Sequence, residues 1–483
     1  MRDLADSTTG QLDGFYAALL TPDRLADLRA GLIGEGMQIE GPFGPRPLVY
    51  ADYTASGRAL MQVERFILET VLPRYANSHT EASFCGAAMT RLRSEARATI
   101  ARLCGAGPEH AVIFCGAGAT AGINRLVALL GADDAAAPVR VILGPYEHHS
   151  NILPWRESGA EIVTLPEASQ GGPDRVALEA ALRDAPGRVI CAFSAASNIT
   201  GITADVAQVT RQVKAAGAAM IWDYAGGGPY LPMTMTPSPD AEIDAIVVSP
   251  HKFVGGPAAS GVMILRRDAV QRQTPTWPGG GTVRFVSPRR HDYSASLEAR
   301  EEAGTPNVIG DIRAALAFLV KEAIGAADHA AHHRTVMARA EARLRHHPRI
   351  VLLGPALPDR LPILSFRLRD GRGGYVHQQL VTRLLSDRYG IQARGGCACA
   401  GPYVHDLLQI GVADSERLRH AVLTGEETAK PGFTRLNLSV LMEAQKVDYV
   451  LDSLCDLALD VPELARHYQC DQSRAIFTAK DFA

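Results

Sequence analysis

The sequence predicts an α/β protein, with a large domain on an open, mostly parallel sheet followed by a smaller α+β domain at the C-terminus. Three observations predict it. Short apolar, partly β-branched runs recur between about residues 110 and 250, Ala-rich helical stretches separate them, and beyond residue 340 the pattern changes to sparser strands. The 483 residues leave room for more than one domain at roughly 100–200 residues each. The 47% hydrophobic and 21% charged content is that of an ordinary globular chain.

In chain order, residues 1–35 read as a helical N-terminal arm, expected to pack with the small domain. Residues 36–335 form the large domain and 336–483 the small one. AVIFC (111–115), VRVILG (139–144), EIVTL (161–165), RVICAF (188–193), AAMIWD (218–223) and AIVVSP (245–250) are strands of the kind buried on both faces of a sheet. TAGINRLVALLG and TADVAQVTRQVKAAG are two of the helices between them. One long helix is expected over roughly 308–347. LPILSFRL, a helix near 376–389 and FTRLNLSV then build the small domain, and the polar TGEETAKPG (424–432) is a surface loop. The last fifteen residues suggest no role.

The net charge of −3 gives no global pull toward nucleic acid or anionic lipid. The N-terminal residues have no apolar core behind a basic start, and no run approaches the eighteen or so apolar residues of a membrane span. The eight cysteines therefore read as mostly reduced thiols, and the expected compartment is the cytoplasm.

Lysine is rare, and among Lys214, Lys252, Lys321, Lys430, Lys446 and Lys480 only Lys252 directly follows a buried-strand pattern, in VVSPHKFVGG. An amine at a strand end beside small residues suits a Schiff base with an aldehyde cofactor, although an isolated SPHK is more often a surface loop. Asp223 ends another strand, 29 positions upstream. Ligands of open α/β sheets gather at such carboxyl ends, and a carboxylate there can pair with a protonated pyridine nitrogen; alone it reads as a helix cap. In YEHHSNILPW, His148 or His149 follows a strand and offers a ring to stack on a flat cofactor, against solvent exposure as the plainer reading. CGAGATAGIN supplies a glycine turn, a helix N-terminus and Thr120, which suit any phosphate and do not separate a dinucleotide from pyridoxal phosphate.

Taken together, VYADYTASG, YANSHTEAS, GATAGINRL, YEHHSNILPW, SNITG, DYAGG, SPHKFVGG, WPGGGT, EEAGTPN, RGGCACAGP and TRLNL resemble, in order, the class V aminotransferase-fold enzymes, and within them the group II cysteine desulfurases and selenocysteine lyases. The resemblance implies a fold type I transferase with pyridoxal 5'-phosphate as cofactor. It implies that Lys252 is the Schiff-base lysine, that His148 stacks on the pyridine ring and that Asp223 pairs with its nitrogen. Ala119, Thr120, Ser249 and His251 would hold the phosphate, and Asn198 would lie near the ring hydroxyl and the substrate carboxylate. Arg435 would clamp that carboxylate with a planar fork. Thr282 would reach the phosphate of the other subunit, which implies a homodimer.

Arg394, Gly396, Cys399 and Ala400 fit the R-x-G-x-x-C-A pattern of the desulfurases, which puts Cys399 at the position of the thiol that takes sulfur from L-cysteine, leaving L-alanine and a persulfide for an acceptor protein. Arg394 would favour the thiolate and help bind substrate; a buried structural cysteine is the alternative. The sequence departs from the family at Gly226, where a Gln is usual, at Pro250, and at Cys397 and Ala398, where histidines are usual. These departures leave open an aminotransferase, racemase or C–S lyase of the same fold that uses no cysteine. Finally, His329, His332 and His333 share a helix face with metal-binding spacing, but no further ligand accompanies them and a solvated face is expected; no metal site is predicted.

Overall fold

In a computed structural model of the chain, the described residues are 10–78, 80–185 and 187–480. The start of the N-terminal arm, residues 1–9, lies outside them. Two helices follow, α1 (Gln11–Leu19) and α2 (Arg24–Ala30), and then α3 (Phe84–Leu103). The central strands are β1 (His110–Gly116), β2 (Val139–Leu143), β3 (Glu161–Thr164), β4 (Arg188–Ser194), β5 (Ala219–Asp223), β6 (Ala245–Val248) and β7 (Gly261–Arg266), with α4 (Gly118–Leu129) between the first two. They form one sheet in the order β1-β7-β6-β5-β4-β2-β3, and β7 alone runs against its neighbours.

Period-two alternation assigns the two faces of this sheet. Ala111, Ile113 and Cys115 of β1 point into the cluster formed with Ile123 and Leu126 of α4, whereas Val112 and Phe114 point into the cluster that α3 covers. The expected strands are all present, but β3 sits at the sheet edge and its residues are half-buried or exposed. An edge strand has a neighbour on one side only, which its apolar composition does not reveal.

The expected long helix is two, α5 (Val308–Ile324) and α6 (Ala326–Leu344), divided at Gly325, whose φ of 90° is open to glycine and strained for other residues. α5 is buried over most of its length against α3 and the arm. The arm itself faces the large domain, not the small one as the sequence suggested: Leu12, Phe15, Leu19 and Leu28 belong to the same core cluster as Ile312 and Leu316. Its links to the small domain are polar, through Arg29 with Glu443 and Glu35 with Lys446.

The small domain contains β8 (Ile350–Leu352), β9 (Ile363–Leu368), α7 (Gln378–Tyr389), β10 (Arg394–Gly396), α8 (Gly401–Leu408), α9 (Val412–Leu423), β11 (Phe433–Asn437) and α10 (Ala444–Leu464). Its sheet is antiparallel, in the order β8-β9-β11-β10. Val49, Ala51 and Tyr53 join its core, and Val49–Tyr50 pair in parallel with Ile391–Gln392. The chain thus crosses from one domain to the other beside residues 51–57, the segment that borders the site. Segment 424–432 lies at the surface, as expected. Within the final residues, Tyr468–Asp471 and Ile476–Ala479 form a hairpin that places Phe477 against His377.

Candidate active site

The carboxyl ends of β1, β2, β4, β5 and β6 converge on one cavity of about 440 Å³, within the few-hundred-Å³ range of small-molecule sites. After β1 the chain turns at Gly118 (φ 63°) into α4. A Cβ at Gly118 would stand 2.8 Å from Ser249 Oγ and 2.9 Å from His251 Cε1, so the glycine keeps this corner open. There the Ala119 amide donates to Ser249 Oγ at 2.9 Å, and Thr120 Oγ1 lies 2.8 Å from Ser150 Oγ. An α-helix N-terminus ringed by hydroxyls and a histidine is the donor set an anionic phosphate requires.

The middle of the cavity holds Asp223, Lys252 and His148. Asp223 is buried, with its Oδ1 accepting from the Ala225 amide at 2.7 Å. Burial raises its pKa, opposed by that amide and by the charge of Lys252; a carboxylate so placed is stabilised by a cationic partner such as a protonated ring nitrogen. Lys252 closes a 3₁₀ turn, Pro250–Lys252, directly after β6. Burial lowers its amine to about 8, against the pull of Asp223. The turn is braced from the N-terminal side. The Gly57 amide donates to the His251 carbonyl at 2.9 Å, and a Cβ at 57 would lie 1.7 Å from the Phe253 carbonyl oxygen. His148 Nδ1 accepts from the Ser150 amide at 3.1 Å, which leaves the ring proton on Nε2. Burial and Lys252 lower its pKa to about 4, and burial does the same for His251, so both rings are neutral at pH 7.

The far end is cationic. Arg394 and Arg435 are cross-strand partners on β10 and β11. Arg394 Nε donates to Asp52 Oδ2 at 2.9 Å, and Arg435 Nη2 lies 3.5 Å from Asp52 Oδ1. Two guanidinium groups share one carboxylate, which leaves a positive charge for a substrate carboxylate. Arg435 is buried, donates to the Asn198 carbonyl at 2.9 Å and keeps its Nε without a protein partner; Asn198 Oδ1 is likewise unpartnered.

Cys399 is exposed at the cavity mouth, on the loop between β10 and α8. Ala398 (φ 50°) and Cys399 (φ 53°) are both left-handed, a conformation that costs about 1–2 kcal/mol for each non-glycine residue. The loop is held by the large domain. Asn198 Nδ2 donates to the Ala398 carbonyl at 2.9 Å, the His149 amide to the Cys399 carbonyl at 2.7 Å, and the Gly401 amide to His149 Nε2 at 3.0 Å. The same two loops that border the cofactor corner thereby fix the thiol.

Of the residues singled out from the sequence, Ala119, Thr120, His148, Asn198, Asp223, Ser249, His251, Lys252, Arg394, Cys399 and Arg435 line this one cavity. Thr282 does not. It is buried in its own chain, its Oγ1 donating to the Gly279 carbonyl at 2.7 Å. Asp52 and Glu147 were missed, although both lie inside quoted motifs; neither has a spacing that marks it. Glu147 is buried next to His148 and accepts from the Ser194 amide and hydroxyl, each at 2.8 Å. Burial, with a smaller push from Asp223 and against hydrogen bonds from Asn151 and Ser194, raises it to about 8. The histidines of α6 are a correction. His329 and His333 are buried against Tyr230, because the i and i+4 positions face inward, and His332 Nε2 meets the Leu438 carbonyl at 2.9 Å. Among the described residues no metal-holding group of His, Cys, Asp or Glu occurs, and no helix is long and apolar enough to cross a membrane.

Comparisons with known proteins identify the family and the fold. The aminotransferase class-V family matches residues 49–450. A cysteine desulfurase of Pectobacterium atrosepticum is 32% identical over 79% of this chain and 90% of its own length, and one of Enterobacter sp. is 30% identical over 74% and 85%. Among solved structures, a cysteine desulfurase from Escherichia coli has the same fold, with a TM-score of 0.70 at 23% identity over 90% of this chain and 98% of its own. Another from Thermococcus onnurineus has a TM-score of 0.70 at 22% identity over 85% and 95%. The matched segment contains every element that borders the cavity, and the chain is a cysteine desulfurase-like member of the class-V aminotransferase family.

Proposed function

We propose that the chain binds pyridoxal 5'-phosphate on Lys252 and converts L-cysteine to L-alanine, with the sulfur carried as a persulfide on Cys399. One observation carries this reading: an exposed thiol, a strand-end lysine and a paired-arginine anion clamp line a single cavity. The cofactor fits the residues present, with the open corner at Gly118 for its phosphate and the buried carboxylate of Asp223 for its ring nitrogen. When bound, it supplies an electron sink that weakens bonds at the amino acid's Cα and Cβ.

The protein's own groups do the rest. Ala119, Thr120, Ser249 and His251 would hold the phosphate, and the neutral imidazole of His148 would offer its face to the ring. Arg435, with Arg394 and Asn198, orients the substrate carboxylate. Lys252, with its amine near 8, exchanges a proton with the substrate Cα at neutral pH. Cys399 Sγ, as the thiolate, attacks the substrate sulfur; the Sγ–sulfur bond forms, the carbon–sulfur bond breaks with its electron pair left on Cβ, and Cβ takes up the proton given up by the Cys399 thiol to complete the methyl group of alanine. In a homodimer, Thr282, beside the exposed hairpin of Val283–Val286 and His291–Tyr293, would reach the phosphate site of a second copy once its hydroxyl leaves the Gly279 carbonyl that it meets within its own chain. The persulfide passes to an acceptor protein. Eight unpaired cysteines suit a reducing compartment, and we place the chain in the cytoplasm. The test is product analysis with L-cysteine: alanine with sulfide or persulfide supports the reading, whereas pyruvate with ammonia, or an exchanged amino group, assigns the cavity to a lyase or aminotransferase.

A further inference from the structure

The Cys399 loop carries a second thiol that the reaction above leaves unused. Cys397 and Cys399 line the same cavity but are presented differently: Cys399 is exposed, while Cys397 is half-buried against the cluster of Tyr146, Ile199 and Tyr403. Between them the chain makes a tight turn, in which the Ala400 amide donates to the Cys397 carbonyl at 3.2 Å and both central residues are left-handed. Asn198 and His149 pin those two central residues from the large domain. A disulfide bridges Cα atoms roughly 4.4–6.8 Å apart, a span that residues two positions apart in a tight turn can meet. Presenting Cys399 alone requires no thiol at 397, and a strained backbone held in place at a site is a reason to look for a chemical role.

We propose that Cys397 is a resolving cysteine, which discharges the sulfur carried on Cys399 as free hydrosulfide and leaves a Cys397–Cys399 disulfide. The inference rests on the reading of Cys399 as the persulfide carrier. The Cys397 thiolate attacks Sγ of Cys399; the Sγ–Sγ bond forms, the bond from Cys399 Sγ to the carried sulfur breaks, and the electron pair leaves with that sulfur as HS⁻. The two cysteine sulfurs are oxidised to the disulfide level and the carried sulfane sulfur is reduced to sulfide, so charge and atoms balance. A dithiol reductant then returns the disulfide to two thiols by exchange. The site thus has a second exit for sulfur beside transfer to an acceptor protein, one that is coupled to dithiol supply.

The test gives the cofactor-loaded protein one equivalent of L-cysteine per site without added thiol, quenches with an alkylating reagent and weighs the tryptic peptide 395–417, which holds these two cysteines and no others. The expected peptide is unalkylated and lighter than the dithiol form by its two thiol hydrogens, with sulfide released in step with alanine; dithiothreitol restores repeated turnover. With Cys397→Ser the peptide keeps an alkylated extra sulfur, and the ratio of sulfide to alanine falls by about tenfold or more. A wild-type peptide that keeps the extra sulfur, or equal ratios in the two proteins, overturns the proposal. If neither extra sulfur nor disulfide appears on this peptide while product forms, the persulfide reading of Cys399 fails instead, and the resolving role with it. Titration of the wild-type protein with oxidised and reduced dithiothreitol reads the same pair without turnover: a reversible Cys397–Cys399 disulfide is expected, and its absence at every ratio overturns the proposal.

Discussion

Glu147→Gln isolates a buried acid whose charge is disfavoured by burial. The side chain is buried, burial holds its pKa near 8 instead of 4.5, and the carboxylate of Asp223 adds to the shift. Below pH 4.5 the carboxyl is protonated whether the chain is folded or not, and it contributes nothing to the pH dependence. Between 4.5 and 8 the unfolded chain ionises it while the folded chain keeps the proton, so folding stability falls as pH rises, by about 1.4 kcal/mol per pH unit. Over the three to four units of that window the loss reaches about 4–5 kcal/mol. Glutamine does not titrate and retains an oxygen for the Ser194 amide. Denaturant midpoints of the two proteins, measured at equal cofactor loading between pH 5 and 8, should therefore diverge in favour of Gln by about 1.4 kcal/mol per unit. Parallel stability curves would show that Glu147 ionises normally and refute the reasoning. The divergence also bears on chemistry, because a neutral Glu147 leaves Asp223 to answer the ring nitrogen without a second charge behind it.

Other substitutions separate the roles assigned within the cavity. Lys252→Ala should abolish the borohydride-bleachable absorbance of the bound cofactor together with turnover, and peptide mapping should find the reduced pyridoxyl group on Lys252 only in the parent. Asp223→Ala should retain part of the cofactor but lower kcat by about 100-fold or more, since the ring loses its electron-sink character; comparable kcat would count against the assignment. Arg435→Ala should weaken L-cysteine binding by about 10- to 100-fold, the loss of about 1.5–3 kcal/mol expected for a charge-assisted hydrogen bond. An unchanged KM and kcat there would place the substrate carboxylate elsewhere.

Much of this arrangement was legible in the sequence because it depends on strand ends. Asp223, Lys252 and His148 each follow an apolar run, and a doubly buried strand both announces itself and aims its carboxyl end at the site. The substrate end was less legible. Arg394 and Arg435 meet through the register of an antiparallel sheet, and Asp52 reaches them across hundreds of residues; no local pattern encodes that contact. The arm's docking on α3 and α5 was misread because amphipathic helices show that they bury a face and not against what. The same limit applies to His329 and His333, whose helix composition is polar although two of its positions are covered by Tyr230. The break at Gly325 was hidden because glycine inside a helical pattern is often tolerated, and only its positive φ makes this one a corner.

Single-turnover alanine formation by Cys399→Ser beside the parent tests the sulfur-carrying role of this thiol. Binding of L-cysteine uses Lys252, Asp223 and the arginine clamp, so the variant should still show the change in cofactor absorbance that accompanies substrate binding. Only sulfur abstraction needs the thiol, and removing a group that acts in the chemical step lowers the rate of that step. Alanine should appear about 100-fold or more slowly in Cys399→Ser while substrate binding persists. Alanine formed at the parent's rate would contradict that role and assign the cavity to chemistry that uses no cysteine.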